Sequence, residues 1–227
     1  MAAETMKRLA DNLAEALGWL RDSFSRLSFR HDTAPIATVE RLFEFASTRA
    51  ALIAQKKLYG YLKERMGTRY PKMFEDDVFV RSINIAKMHV FAATLSDMSV
   101  HVVAKTAAGA SMEADACVDM ARACYRSGIA DNAAQAPDDA AVAGWHADFE
   151  ARLDGTLWQN AAIGGSAFTE SPKALIRWAP IAEELKRHDR EIVENSIRFA
   201  FNEVIQDLAR RLDAPAVAAD WQASHAE

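Results

Sequence analysis

Glycine and proline are scarce in this chain, with nine glycines and six prolines among 227 residues. Both residues interrupt helices, and both supply the turns that a β-barrel or β-sandwich needs roughly every 8 to 12 residues. Their scarcity therefore argues against an all-β fold, while abundant alanine, leucine, arginine and glutamate favour helix. We predict an all-α fold, a multi-helix bundle of about six or seven helices with a long C-terminal helix.

Cysteine is scarcer still, since Cys117 and Cys124 are the two cysteines of the sequence. They stand seven residues apart on a predicted helix, so their Cα atoms lie roughly 10 Å apart, too far for a disulfide. We interpret both as small buried apolar side chains.

The sequence also lacks paired Glu-x-x-His segments, phosphate-binding loops and dinucleotide fingerprints, and it predicts no metal site and no cofactor.

Long hydrophobic runs are missing as well. No stretch reaches the roughly 18 consecutive apolar residues of a membrane-spanning helix. The first residues lack the apolar core of a secretory signal. Half of the residues are hydrophobic and the net charge is −5, which favours a folded globular chain over a disordered one. We therefore expect a cytoplasmic protein that does not cross a membrane.

The spacing of apolar residues divides the chain into three parts. Gaps of three or four residues predict an amphipathic lead helix over 1–31, which packs on the bundle, docks on a partner helix or lies on a membrane surface. A segment with Pro35 separates it from a helical bundle domain over 32–214. The alanine-rich stretch 215–227 is predicted to be a frayed tail.

A polar stripe on the most apolar predicted helix, over about 77–106, contains Asp97 and His101. These residues are four apart, so their side chains are neighbours on one helical face. A carboxylate beside an imidazole fixes its tautomer and raises its pKa, as a general base requires. Asp97 and His101 are therefore the candidate catalytic residues, and an ordinary solvent-facing ion pair is the alternative.

A second group of residues mixes bases with aromatic side chains on the helix predicted over 38–66 and just beyond it. Lys56 and Lys63 are seven apart and share a face, with Tyr59 between them, and Arg65 and Arg69 follow. We predict that Lys56, Lys63, Arg65 and Arg69 bind an anionic ligand or protein partner. A solvated basic surface is the alternative. The acidic pI of about 5.7 makes nucleic acid an improbable partner, while peripheral membrane contact stays open.

Two stretches of the chain resemble an uncharacterised bacterial all-helical family, some members of which are labelled "esterase". They are LYGYLKERMGTRYPKMFEDD over 58–77 and ALIRWAPIAEELKRHDREIVENS over 174–196. The resemblance extends over most of the chain and implies a hydrolase. It assigns no functional residue.

The sequence contains no complete motif of a serine esterase. The stretches Gly164–Phe168 and Gly109–Glu113 lack the second glycine of GxSxG, and the alternating strands of an α/β-hydrolase are not predicted. Ser96 and Ser166 are weak candidates for a nucleophile. We therefore predict a binding or interaction module of unknown biochemical activity, with a hydrolase as the alternative.

Overall fold

The computed structural model describes residues 33–164 and 167–224, and most of these residues are helical. The helices are α1 (Val39–Met66), α2 (Tyr70–Met73), α3 (Asp77–Ala110), α4 (Ala114–Ala130), α5 (Asp139–Asp154), α6 (Trp158–Ile163), α7 (Glu170–Trp178), α8 (Glu183–Arg211) and α9 (Ala214–Ser224). Within these ranges the extended backbone is limited to one isolated parallel bridge between Ile36 and Leu212. The predicted all-α multi-helix bundle is confirmed. The predicted lead helix over 1–31 lies outside the described residues.

Helix α3 is the centre of the bundle. It is 34 residues long, and α1, α4, α5, α6, α7 and α9 all pack against it. Its N-terminus is capped by Asp76, whose carboxylate accepts from the backbone N–H groups of Val78 and Phe79. By length and composition α3 is able to cross a membrane, but 56% of its most apolar window is buried inside the bundle. Its apolar surface is accounted for by the neighbouring helices.

Helices α1 and α8 run antiparallel, and polar contacts join them along their length. Arg49 pairs with Asp207, the ammonium group of Lys57 donates to the Ser196 hydroxyl at 2.9 Å, and Arg65 pairs with Asp189. At the end where α8 finishes, Ile36 donates to the Arg211 carbonyl and accepts from the Asp213 N–H. The first described residues therefore lie beside the C-terminal end of α8.

The prediction of a frayed tail over 215–227 is wrong for the part that the structure describes. Residues Ala214–Ser224 form α9, with Val217 and Trp221 buried. The carboxylate of Asp213 accepts from the Ala216 N–H, and Asp220 accepts from the Val39 N–H at 2.8 Å. The alanine-rich composition alone predicts fraying, because it does not show which surface the segment packs against. In the structure α3 and α1 provide that surface and stabilise the helix.

One glycine marks how closely α9 approaches the core helix. A Cβ atom built on Gly109 would lie 2.6 Å from the Cβ of Ala214. Any larger residue at position 109 would therefore push α9 away from α3.

Both cysteines are buried and form no disulfide, as the sequence predicts, and burial raises the pKa of Cys117 to about 11 and that of Cys124 to about 12.

Candidate functional site

Asp97 lies in the middle of α3 and is fully buried. One carboxylate oxygen accepts from the Arg152 guanidinium at 2.7 Å and from the backbone N–H groups of Thr169 and Glu170 at 3.3 and 3.1 Å. The other accepts from the Ser171 N–H at 2.8 Å and its hydroxyl at 2.5 Å. The carboxylate thus has five donors, three of them backbone N–H groups at the start of α7.

Asp97, which belongs to α3, therefore caps the N-terminus of α7 by accepting from its first backbone N–H groups. Burial raises the pKa of its carboxyl, and the Arg152 charge and the donors of Ser171 and Glu170 act against that rise. Arg152 also donates to the Ser96 hydroxyl at 2.7 Å and to the Ala167 carbonyl at 2.5 Å. The network therefore joins α3, α5 and the segment that leads into α7, and both carboxylate oxygens of Asp97 have donors within it.

His101 has a different environment, one turn further along α3. Its Nδ1 lies 3.2 Å from the Ala161 carbonyl, so Nδ1 carries the proton and donates. The ring packs against Phe168 with centroids 5.0 Å apart, and Nε2 is buried without a hydrogen-bond partner among the described residues. Burial lowers the pKa of His101 to about 4.

The predicted side-chain contact between Asp97 and His101 is therefore wrong. Helical spacing places the two residues on one face of α3, but that face is covered by other helices instead of solvent. The start of α7 and Arg152 occupy the carboxylate, while α6 provides the acceptor for the imidazole. The stripe is polar because it binds neighbouring backbone, and a catalytic role for either residue stays a prediction.

The serines considered above have other partners. Ser96 accepts from Arg152, and Ser171 donates to Asp97. Ser166 lies outside the described residues. Across 33–164 and 167–224 no hydrogen bond joins a serine to a histidine, so that part of the chain contains no preformed pair of nucleophile and base.

We expect that a fluorophosphonate probe will leave the purified protein unlabelled, because no described serine has a general base beside it. Intact-mass spectrometry after incubation checks this result. A stoichiometric adduct on Ser96, Ser166 or any other serine would contradict it and would restore the hydrolase alternative.

Arg65, one of the four basic residues predicted to bind a partner, already has a partner within the bundle. The Arg65 guanidinium binds both carboxylate oxygens of the buried Asp189, which also accepts from the Tyr61 hydroxyl at 2.7 Å. Arg65 therefore fastens α1 to α8 and is not free for an anionic partner. Lys56, Lys63 and Arg69 are exposed, and in the described part of the chain none of them has a carboxylate partner.

Beside these residues, a groove of about 620 Å³ runs between α1 and α8. We call it the α1/α8 groove; its lining residues are Lys56, Lys57, Gly60, Tyr61, Glu64, Arg65, Leu175, Asp189, Ile192, Val193 and Ser196. A Cβ added to Gly60 would meet no atom of the described residues within 4 Å. Packing inside the bundle therefore does not require this helical glycine, which costs up to about 1 kcal/mol relative to alanine.

An exposed apolar row runs along α8, and its central residue, Ile192, lines the groove. Leu185, Ile192 and Phe199 are exposed by 45%, 72% and 70%. They are spaced seven residues apart on one helix, so they share a face, and we call them the α8 stripe. These three residues were not predicted as a site, although their seven-residue spacing on a highly charged helix was a usable signal.

Comparison with family models, curated proteins and solved structures finds no match to this chain.

Proposed function

We propose that this protein is an interaction module, and that its α1/α8 groove receives an amphipathic helix of a partner protein with acidic residues on one flank. A cytoplasmic location is part of the proposal. The observation that carries it is the α8 stripe, an exposed apolar row whose central residue, Ile192, lines the groove together with the exposed Lys56.

The α8 stripe has the geometry of a helix-binding surface. Its members are about 10 Å apart, since seven residues rise by 1.5 Å each. Isolated exposed apolar residues are ordinary, but a row at heptad spacing matches the anchor positions of a second helix. Burial of three such side chains is worth roughly 1.5–3 kcal/mol each at most, before the cost of association.

Two exposed lysines lie on α1: Lys56 lines the groove, and Lys63 lies seven residues further along the same helix. Lys56 and Lys63 lie on the same face of α1, and neither has a carboxylate partner among the described residues. Acidic residues on the incoming helix would pair with them, which mainly sets its orientation and its rate of association. Gly60 lies between the two lysines in the sequence and lines the groove, and a Cβ atom there would meet no described atom within 4 Å. A helix backbone fits such an opening more closely than it fits a surface with side chains.

The test is site-specific photo-crosslinking in living cells. Ile192 is replaced by the photoreactive residue p-benzoylphenylalanine, because its side chain is exposed and lies on the groove. We expect an adduct with another protein, mapped by mass spectrometry to a helical segment with acidic residues. The yield should fall at least about tenfold when Lys56→Glu and Lys63→Glu are combined, or when Gly60→Leu fills the groove.

Gly144→Leu is the matched control for the last of these changes. Gly144 also lies within a helix, and a Cβ there also meets no described atom within 4 Å, but the residue is outside the α1/α8 groove. It should leave the adduct unchanged. Adducts only with lipid, with residues 1–31 of the same chain or with a second copy of it would contradict the proposal.

A further inference from the structure

A second opening lies on the other side of the bundle, between α3, α5 and α7. Its volume is about 650 Å³, within the range of small-molecule sites. Several of its lining residues are small, and these leave the space unfilled: Ala92, Ala93, Ala141, Gly144, Ala151 and Ala174. We call this opening the His89 cleft.

His89 is held between two tryptophans in this cleft. Its ring stacks on Trp178 at 3.4 Å between centroids with only 4° between the planes, and it meets Trp145 nearly at right angles. The indole Nε1–H of Trp145 donates to His89 Nδ1 at 2.9 Å. The proton of the neutral imidazole must therefore reside on Nε2, which makes no hydrogen bond within the described residues.

Burial, with the nearby charge of Arg177, lowers the pKa of His89 to about 4, so the ring is neutral near pH 7. The charge of Asp138 acts in the opposite direction and raises the pKa of His89. A neutral imidazole in a fixed orientation, with a free N–H, is a rigid hydrogen-bond donor. Its two aromatic neighbours make the surrounding wall flat and apolar.

The charged groups that line the cleft are only partly paired with one another, because neither Arg177 nor Asp148 has a salt-bridge partner among the described residues. Lys173 pairs with Glu170 at 2.8 Å, and Arg152 pairs with Asp97. Arg177 lies over the Trp178 ring at 5.3 Å and, among the residues that the structure describes, pairs with no carboxylate. One exposed guanidinium therefore stands at the aromatic wall, on the side where the imidazole is also found.

We infer that the His89 cleft binds a small aromatic carboxylate. The aromatic ring of the ligand lies in the open space of the cleft beside the edges of the two indoles, since His89 already covers one face of Trp178, and its carboxylate accepts from His89 Nε2–H and from Arg177. The small side chains of the cleft provide the room for the ring. This site is separate from the α1/α8 groove, and no described residue lines both openings.

The experiment measures binding of benzoate and indole-3-acetate, their neutral amides, and acetate as an anion without a ring. The readouts are the indole N–H signals in ¹H–¹⁵N spectra and the heat of binding in calorimetry. We expect at least one of the two aromatic carboxylates to bind at up to millimolar concentration and to shift the Trp145 and Trp178 signals. The amides and acetate should bind at least about tenfold more weakly.

Two variants separate the cleft from the rest of the surface. Gly144→Leu adds a side chain at a cleft position where a Cβ meets no described atom within 4 Å, and it should weaken binding at least about tenfold, while Gly60→Leu in the α1/α8 groove should leave it unchanged. Arg177→Gln should weaken binding of the carboxylates but not of the amides, with Arg187→Gln on the exposed surface of α8 as its control. Absence of binding by both carboxylates would overturn the inference. Equal binding of carboxylates and amides, or full binding by Gly144→Leu, would also overturn it.

Discussion

Replacement of Asp97 by asparagine is expected to lower the free energy of unfolding by about 3–5 kcal/mol. The change leaves the Arg152 guanidinium, which is only 14% exposed, without its counter-charge. It also replaces one carboxylate oxygen by an NH₂ group. Either Ser171 or the Arg152, Thr169 and Glu170 donors would then face another donor. Urea unfolding followed by circular dichroism measures the effect.

Asp119→Asn is the matched control for this prediction. Asp119 also pairs with an arginine, Arg122, at 2.6 Å, but its side chain is 64% exposed. Water screens such a pair, so we expect a change within about 1 kcal/mol. The double variant Asp97→Asn with Arg152→Met should recover part of the loss, because no buried charge is then left unpaired. An unchanged urea midpoint for Asp97→Asn would show that the network does not stabilise the fold.

Acidification is expected to destabilise the protein between about pH 6.5 and pH 4, and His101 is, with His89, one of two described histidines whose pKa is lowered to about 4. The pKa of His101 is about 4 in the folded chain, whereas the ordinary value of a histidine in an unfolded chain is 6.5. Below pH 6.5 the unfolded chain therefore takes up a proton that the folded chain does not. The stability that neutral His101 contributes to the folded chain is complete above pH 6.5 and is lost as the pH falls toward 4. The shift corresponds to about 3 kcal/mol.

His101→Asn tests the assignment of this loss to His101. Its amide nitrogen occupies roughly the place of Nδ1 and retains a donor toward the Ala161 carbonyl, but it does not titrate. The variant should be less stable at pH 7 and should show a smaller decrease in stability toward pH 4. His188→Asn, on the exposed surface of α8, should keep the wild-type pH dependence, as His89 is unchanged in both. Identical pH profiles for wild type and His101→Asn would contradict the assignment.

The polar stripe of α3 illustrates how far sequence reasoning reaches. Helical periodicity correctly placed Asp97 and His101 on one face of a long helix. It could not show which helices cover that face. The donors to Asp97 come from residues 152 and 169–171, 55 to 74 positions away. No local pattern encodes such a pairing, because it depends on how α5 and α7 cross α3.

The basic residues illustrate the same limit at the surface. Lys56, Lys63, Arg65 and Arg69 look alike along the sequence, yet within the described chain Arg65 alone of the four meets a buried carboxylate, Asp189 on α8. Conversely, Leu185, Ile192 and Phe199 look like core residues until the packing of α8 is known. The residues of the His89 cleft come from four helices, and no spacing along the chain groups them.

The sequence by itself determined the helical nature of this protein, the long central helix and the burial of both cysteines. These properties follow from composition and from short-range periodicity, which act within a few residues. Only the tertiary structure decided that Asp97 caps α7, that Arg65 fastens α8 and that residues 214–224 form a docked helix. Burial and charge pairing depend on elements that are distant in the chain, so a side chain acquires its role only when the helices have packed.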